Sequence, residues 1–131
     1  MSDKHQISQR ILVVDDDADI VDSVATFLKS SGHQVVCAYN GEDALQQANE
    51  HHPQLVLLDI NIPMQDGWLV CSKLKLAKSA PTIVFMTGET RKDLEQFAEF
   101  VHADELLRKP FGVKEIEQVI DEVGRQARAS A

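Results

Sequence analysis

Four consecutive apolar residues, Leu55, Val56, Leu57 and Leu58, run straight into a carboxylate, Asp59. An unbroken apolar run of strand length fits a strand buried on both faces, as in a parallel sheet covered by helices. Pro63 and the turn pair Asp66-Gly67 follow, so the chain leaves the strand through a loop and Asp59 stands at the strand's carboxyl end. In open α/β sheets ligands bind at that edge, which makes an acid held there by a rigid strand a candidate for chemistry.

The same pattern occurs earlier in the chain. Ile11, Leu12, Val13 and Val14 form a first apolar run that ends in Asp15, Asp16 and Asp17. Asp16 or Asp17 can cap a helix in which Ile20, Val21, Val24, Phe27 and Leu28 recur at helical spacing, with Ser31-Gly32 as its stop. A second strand is predicted over residues 34–39. Asn40 and the acids Glu42 and Asp43 then open a helix that ends before Pro53. After the Asp59 strand, Asp66-Gly67 opens a third helix with Trp68, Leu69, Cys71, Leu74 and Leu76 among its apolar members. Residues 82–86 are a fourth strand ending at Thr87-Gly88. Thr90 and Asp93 form a capping-box pattern ahead of Leu94, Phe97, Ala98 and Val101, a fourth predicted helix. Residues 105–108 are a weaker fifth strand ended by Lys109-Pro110. A last helix begins near Val113, with Val113, Ile116, Val119, Ile120 and Val123 on one face, and fades into a polar tail from Arg125.

Five strand-helix pairs without a linker or repeat imply one α/β domain, a doubly wound sandwich around a five-stranded parallel sheet. The order 2-1-3-4-5 suits this size. Its switch point lies between strands 1 and 3, the two strands whose carboxyl ends carry Asp15, Asp16 and Asp59, while strands 4 and 5 bring Thr87 and Lys109 to the rim. The expected divisions are a polar lead over residues 1–9, a domain over 10–125 and a tail over 126–131.

At 131 residues the chain is long enough to bury a core without disulfides. Cys37 and Cys71 lack ligand spacing and read as buried free thiols, and the histidines, likewise without ligand spacing, read as surface residues. A net charge of −8 leaves no basic face for nucleic acid, no apolar run spans a bilayer, and the polar start carries no signal-peptide core. The expectation is a cytoplasmic protein with protein or small-ion partners.

Three carboxylates converging at one crevice repel each other unless a proton or a cation intervenes. Oxygen-only ligands favour a hard divalent ion, and Mg2+ with one or two carboxylates and several waters fits best. A carboxylate can attack phosphorus to give an aspartyl phosphate, and the transferring group then needs Mg2+, a cation and a hydroxyl on its other oxygens. Lys109 and Thr87 supply the last two.

These residues carry a resemblance to the receiver domains of two-component response regulators, which have the flavodoxin-like (βα)5 fold. It rests on Val-Val-Asp15-Asp16, on Leu-Leu-Asp59 with Pro63 and Asp66-Gly67, on Met-Thr87-Gly88 and on Lys109-Pro110-Phe111, over residues 9 to 125. The resemblance implies that Asp59 is the phosphoacceptor. It implies that Asp16, Asp59 and the backbone carbonyl of Asn61 bind Mg2+, with Asp15 assisting through water, and that Thr87 and Lys109 contact the phosphoryl group. It further implies a phosphohistidine donor on a sensor histidine kinase or phosphotransfer protein, a cis bond before Pro110, and a response on the face of the fourth predicted helix, the fifth strand and the last helix, read by a downstream protein target. Such a chain is a switch without separate substrate turnover. Leu106 departs from the pattern, standing where most members carry Tyr or Phe, so the expectation is weaker coupling to that face. Asn61 and Glu89 stand at positions that tune phosphoryl lifetime in the family.

Each element has a plainer reading. The acids after the first strand could be a capping cluster, Lys109 a solvated strand-end lysine and Thr87 a turn residue; Trp68 reads as packing. An enzyme-class rival, a haloacid-dehalogenase-like phosphohydrolase with Asp15 as nucleophile, leaves Asp59 without a role. A third reading is a receiver-shaped interaction module that is not phosphorylated.

Overall fold

The computed structural model describes residues 8–60, 67–87, 105–109 and 111–130; the side chains of Thr87, Glu105, Arg108 and residues 126–130 lie outside that description. Five strands, β1 (Arg10–Val14), β2 (Gln34–Ala38), β3 (Leu55–Asp59), β4 (Thr82–Thr87) and β5 (Glu105–Arg108), form one parallel sheet in the order β2-β1-β3-β4-β5. The described helices are α1 (Ala18–Ser30), α2 (Gly41–His51), α3 (Gly67–Lys75) and α4 (Val113–Ser130). The helix predicted around Thr90 to Val101, and with it Glu89, falls outside the described residues.

Strand pleating sends alternate residues to opposite faces, and the core divides accordingly. Leu12, Val14, Val56, Leu58, Ile83 and Phe85 pack with Ala44 of α2 and Val70, Cys71 and Leu74 of α3. Their chain neighbours Ile11, Val13, Leu55, Leu57, Val84 and Met86 pack with Val21, Val24 and Leu28 of α1 and Ile116, Ile120 and Val123 of α4. All five residues of β3 are buried, as an apolar run in the middle of a parallel sheet requires.

Local chemistry sets the helix ends. Asp17 caps α1 by accepting the Asp19 N–H at 3.0 Å, and Asn40 caps α2 by accepting the Asp43 N–H at 2.8 Å. Gly32, with φ +96°, turns the chain from α1 into β2. His52 closes α2 in the left-handed region at φ 50°, a conformation uncommon for a residue other than glycine. Its N–H donates to the Ala48 carbonyl at 2.9 Å, and its own carbonyl accepts Arg10 Nε and Nη2 at 3.1 and 3.0 Å, which holds the strained residue in place.

Four sequence expectations need correction. Leu69 and Leu76 do not belong to the buried face of α3: Leu69 is exposed, and Leu76 lies past the end of the helix with 84% of its surface free, while Val70 takes the core position. Val113, in the first turn of α4, is exposed. The last helix does not fade at Arg125 but continues to Ser130. His33 is buried, at 5% exposure, not on the surface. Cys71 is buried and Cys37 half-buried, and Trp68 packs edge-on against Phe85 with ring centroids 4.7 Å apart.

Candidate functional site

Because β1 and β3 are adjacent and parallel, their carboxyl ends emerge side by side, Val14 level with Leu58. The residues that follow are Asp15 and Asp59. Asp15 is 1% exposed and its N–H donates to the Ala38 carbonyl at 3.2 Å, which continues the pairing with β2 by one step and fixes the backbone beneath the carboxylate. Its Oδ1 accepts the Asp17 N–H at 3.0 Å, tying the acid to the first turn of α1. Asp59 is 6% exposed and is register partner to Met86 of β4. The next residue, Ile60, donates its N–H to the Met86 carbonyl at 3.2 Å, and the Gly67 N–H donates to the Ile60 carbonyl at 3.0 Å. The start of α3 thus lies directly against the backbone that carries Asp59. Gly67 is required there: a Cβ would meet the Ile60 carbonyl oxygen at 2.5 Å and that of Asp59 at 2.7 Å.

Asp16, exposed, completes a group of three: one carboxylate oxygen each from Asp15, Asp16 and Asp59 lie within 4.8 Å of one another. Lys109, at the end of β5, reaches across β4 and β3 to the same point. Its Nζ donates to Asp15 Oδ2 at 2.7 Å and lies 3.8 Å from Asp59 Oδ1. Three carboxyl groups facing one ammonium leave an excess of negative potential, two of them withdrawn from water, and a hard cation relieves it. The donors are all oxygen, and the exposed side at Asp16 gives room for the waters Mg2+ retains, so these residues fit that ion.

The site residues expected from sequence are Asp15, Asp16, Asp59, Asn61, Thr87 and Lys109. The structure brings Asp15, Asp16, Asp59 and Lys109 together. Thr87 ends β4, level with Arg108 of β5, but its side chain is outside the description; Asn61 and Pro110 lie outside the described residues altogether. Strand-end reasoning did not name Asp15 as the partner of Lys109. It also missed a pocket of about 480 Å3 beside Lys109, lined by Asp19, Ile20, Ser23 and Val24 of α1 and by Phe111. Phe111 following Lys109-Pro110 was its only sequence signal.

A family model for the response regulator receiver domain matches residues 11–121. The chain belongs to that family. It is therefore a signalling domain of two-component systems, a class that works with histidine kinases and downstream effectors. Among solved receiver structures, the chemotaxis protein CheY4 of Vibrio cholerae is 25% identical with a TM-score of 0.85, the match covering 89% of this chain and 99% of that one. A two-component response regulator from Clostridium difficile is 26% identical, TM-score 0.87, over 92% and 98% of the two chains. NtrX from Brucella abortus is 28% identical, TM-score 0.88, over 95% of this chain and 28% of its own. Among the described residues of this receiver no helix is long and apolar enough to cross a membrane.

Proposed function

We propose that this receiver accepts a phosphoryl group on Asp59 from a phosphohistidine of a sensor kinase or phosphotransfer protein, in the cytoplasm, over a unit spanning residues 10–125. In that step an Asp59 carboxylate oxygen forms the new bond to phosphorus as the bond to the donor's imidazole nitrogen breaks, and the electron pair stays on that nitrogen. Asp15, Asp16 and Asp59, with the Asn61 backbone carbonyl, are the groups that would hold Mg2+, which when bound offsets the negative charge of the transferring group. Lys109 leaves Asp15 for a phosphoryl oxygen, and the Thr87 hydroxyl takes another. The pocket between α1 and Phe111 gives the donor access beside Lys109. New contacts at the tip of β4 and β5 bias the face that includes β5 and α4, where a downstream protein binds.

The observation that carries this reading is the reach of one lysine to two strand-end acids, 2.7 Å from Asp15 and 3.8 Å from Asp59. Intact mass after incubation with acetyl phosphate tests it. One added phosphoryl group that requires both Asp59 and Mg2+ is the expected result. An adduct on Asp15 would favour the phosphohydrolase, and no adduct together with no beryllofluoride complex would favour an unphosphorylated module.

A further inference from the structure

His33 is a buried titratable group at the amino ends of the strands, the length of β1 away from the acids, about 17 Å. Its backbone N–H donates to the Leu28 carbonyl at 3.1 Å, which seats the turn between α1 and β2. Its ring accepts: the Gln9 N–H donates to His33 Nδ1 at 3.1 Å. Gln9, also buried, donates its side-chain amide to the Ile120 carbonyl of α4 at 3.4 Å, and its own carbonyl accepts the Gln34 N–H of β2 at 3.0 Å. Two hydrogen bonds thus run from the imidazole through Gln9 to the backbone of α4, joining residues 24 and 111 positions apart.

An Nδ1 that accepts an N–H belongs to the neutral ring. Protonation places a donor against the Gln9 donor, and a buried amide facing no acceptor is costly. The charged ring finds another partner, among the described residues, on one side only. Among the described residues, α1 and its turn present Phe27, Leu28 and Ser31 to the small cavity at the ring, β1's lead presents Gln9, and none of these is charged; α4 presents Glu117 and, acting on the ring's charge, Asp121.

We propose that His33 is a proton-sensitive latch on α4. The neutral ring holds Gln9, and Gln9 holds the Ile120 carbonyl; the protonated ring releases the Gln9 N–H and turns toward the acids of α4, so the helix shifts against β1. Burial holds the ring's pKa below its usual 6.5 against the pull of Asp121, so the latch opens in mild acid. The proposal stands apart from phosphoryl chemistry, since none of its residues touches the acidic site.

The test is an NMR titration of the whole chain from about pH 8 to pH 5, following the His33 ring nitrogens and the amides of Gln9, Ile120 and Asp121. The expected result is one shared midpoint below 6.5, lost from the three amides in His33→Gln and moved lower still in Asp121→Asn, which removes the attraction. A ring that titrates at or above 6.5, or one that titrates while the Gln9 and Ile120 amides stay still, overturns the latch.

Discussion

Lys109 Nζ donates to Asp15 Oδ2 across 2.7 Å, joining the end of β5 to the end of β1, residues 94 positions apart. Asp15 is almost wholly withdrawn from water, so this ammonium is its main charge compensation in the absence of a cation. Lys109→Met strands the carboxylate and removes a charge-assisted hydrogen bond, at a cost of about 1.5–3 kcal/mol. Urea unfolding in EDTA measures that loss, and Mg2+ restores part of it.

Asp59→Asn acts in the opposite direction on stability. It takes one carboxylate from the group of three while Lys109 keeps its closer bond to Asp15. In EDTA the variant melts a few degrees higher, corresponding to about 1 kcal/mol, and Mg2+ adds less to its melting temperature than to that of the wild type. It takes up no phosphoryl group from acetyl phosphate.

Gly67 and Gly32 respond differently to alanine. At Gly67 the added carbon collides with the carbonyls of Ile60 and Asp59, so Gly67→Ala costs about 2–3 kcal/mol and slows phosphoryl uptake by displacing the Asp59 backbone. At Gly32 nothing lies within 4 Å of the new carbon and only the φ of +96° is strained, so Gly32→Ala costs about 1–2 kcal/mol and leaves uptake unchanged. Denaturant midpoints alongside acetyl phosphate labelling separate the two.

His33 gives stability a pH dependence of known sign. Burial lowers its folded-state pKa below 6.5, so between those values the unfolded chain binds more protons than the native one and stability rises with pH. The contribution is fully present above pH 6.5 and is lost as the pH falls through the folded-state value. Unfolding free energies of wild type minus His33→Gln, measured from about pH 8 to pH 5, decline in that window; a flat difference contradicts the assignment.

What the sequence made legible follows from which physical signal was strong. The β3 run and its terminal Asp59, repeated at β1 and Asp15, placed both acids at one edge because a parallel sheet brings strand ends together, and Asp17, Asn40 and Gly32 stood where cap and turn chemistry requires them. Errors arose where a side chain's fate depends on distant neighbours. Leu69 and Val70 are adjacent and equally apolar, and only the docking angle of α3 decides which is buried. His33 is buried because Gln9 and α4 cover it, and no local pattern around a lone histidine announces a partner 111 positions from Gln9. His52 holds its left-handed backbone through Arg10, another contact that is remote in sequence.

The sheet that separates the two halves of the core also sets how the chain can tolerate change. Leu57 and Leu58 are covalent neighbours yet pack in different compartments, one with α1 and α4, the other with α2 and α3. Leu58 and Phe85, 27 positions apart, lie side by side in register and share one compartment. Substitutions at Leu57 and Leu58 therefore combine additively, whereas those at Leu58 and Phe85 do not. The two faces of this receiver can drift independently, so the α2 and α3 side can be remodelled without disturbing the side built by α1 and α4.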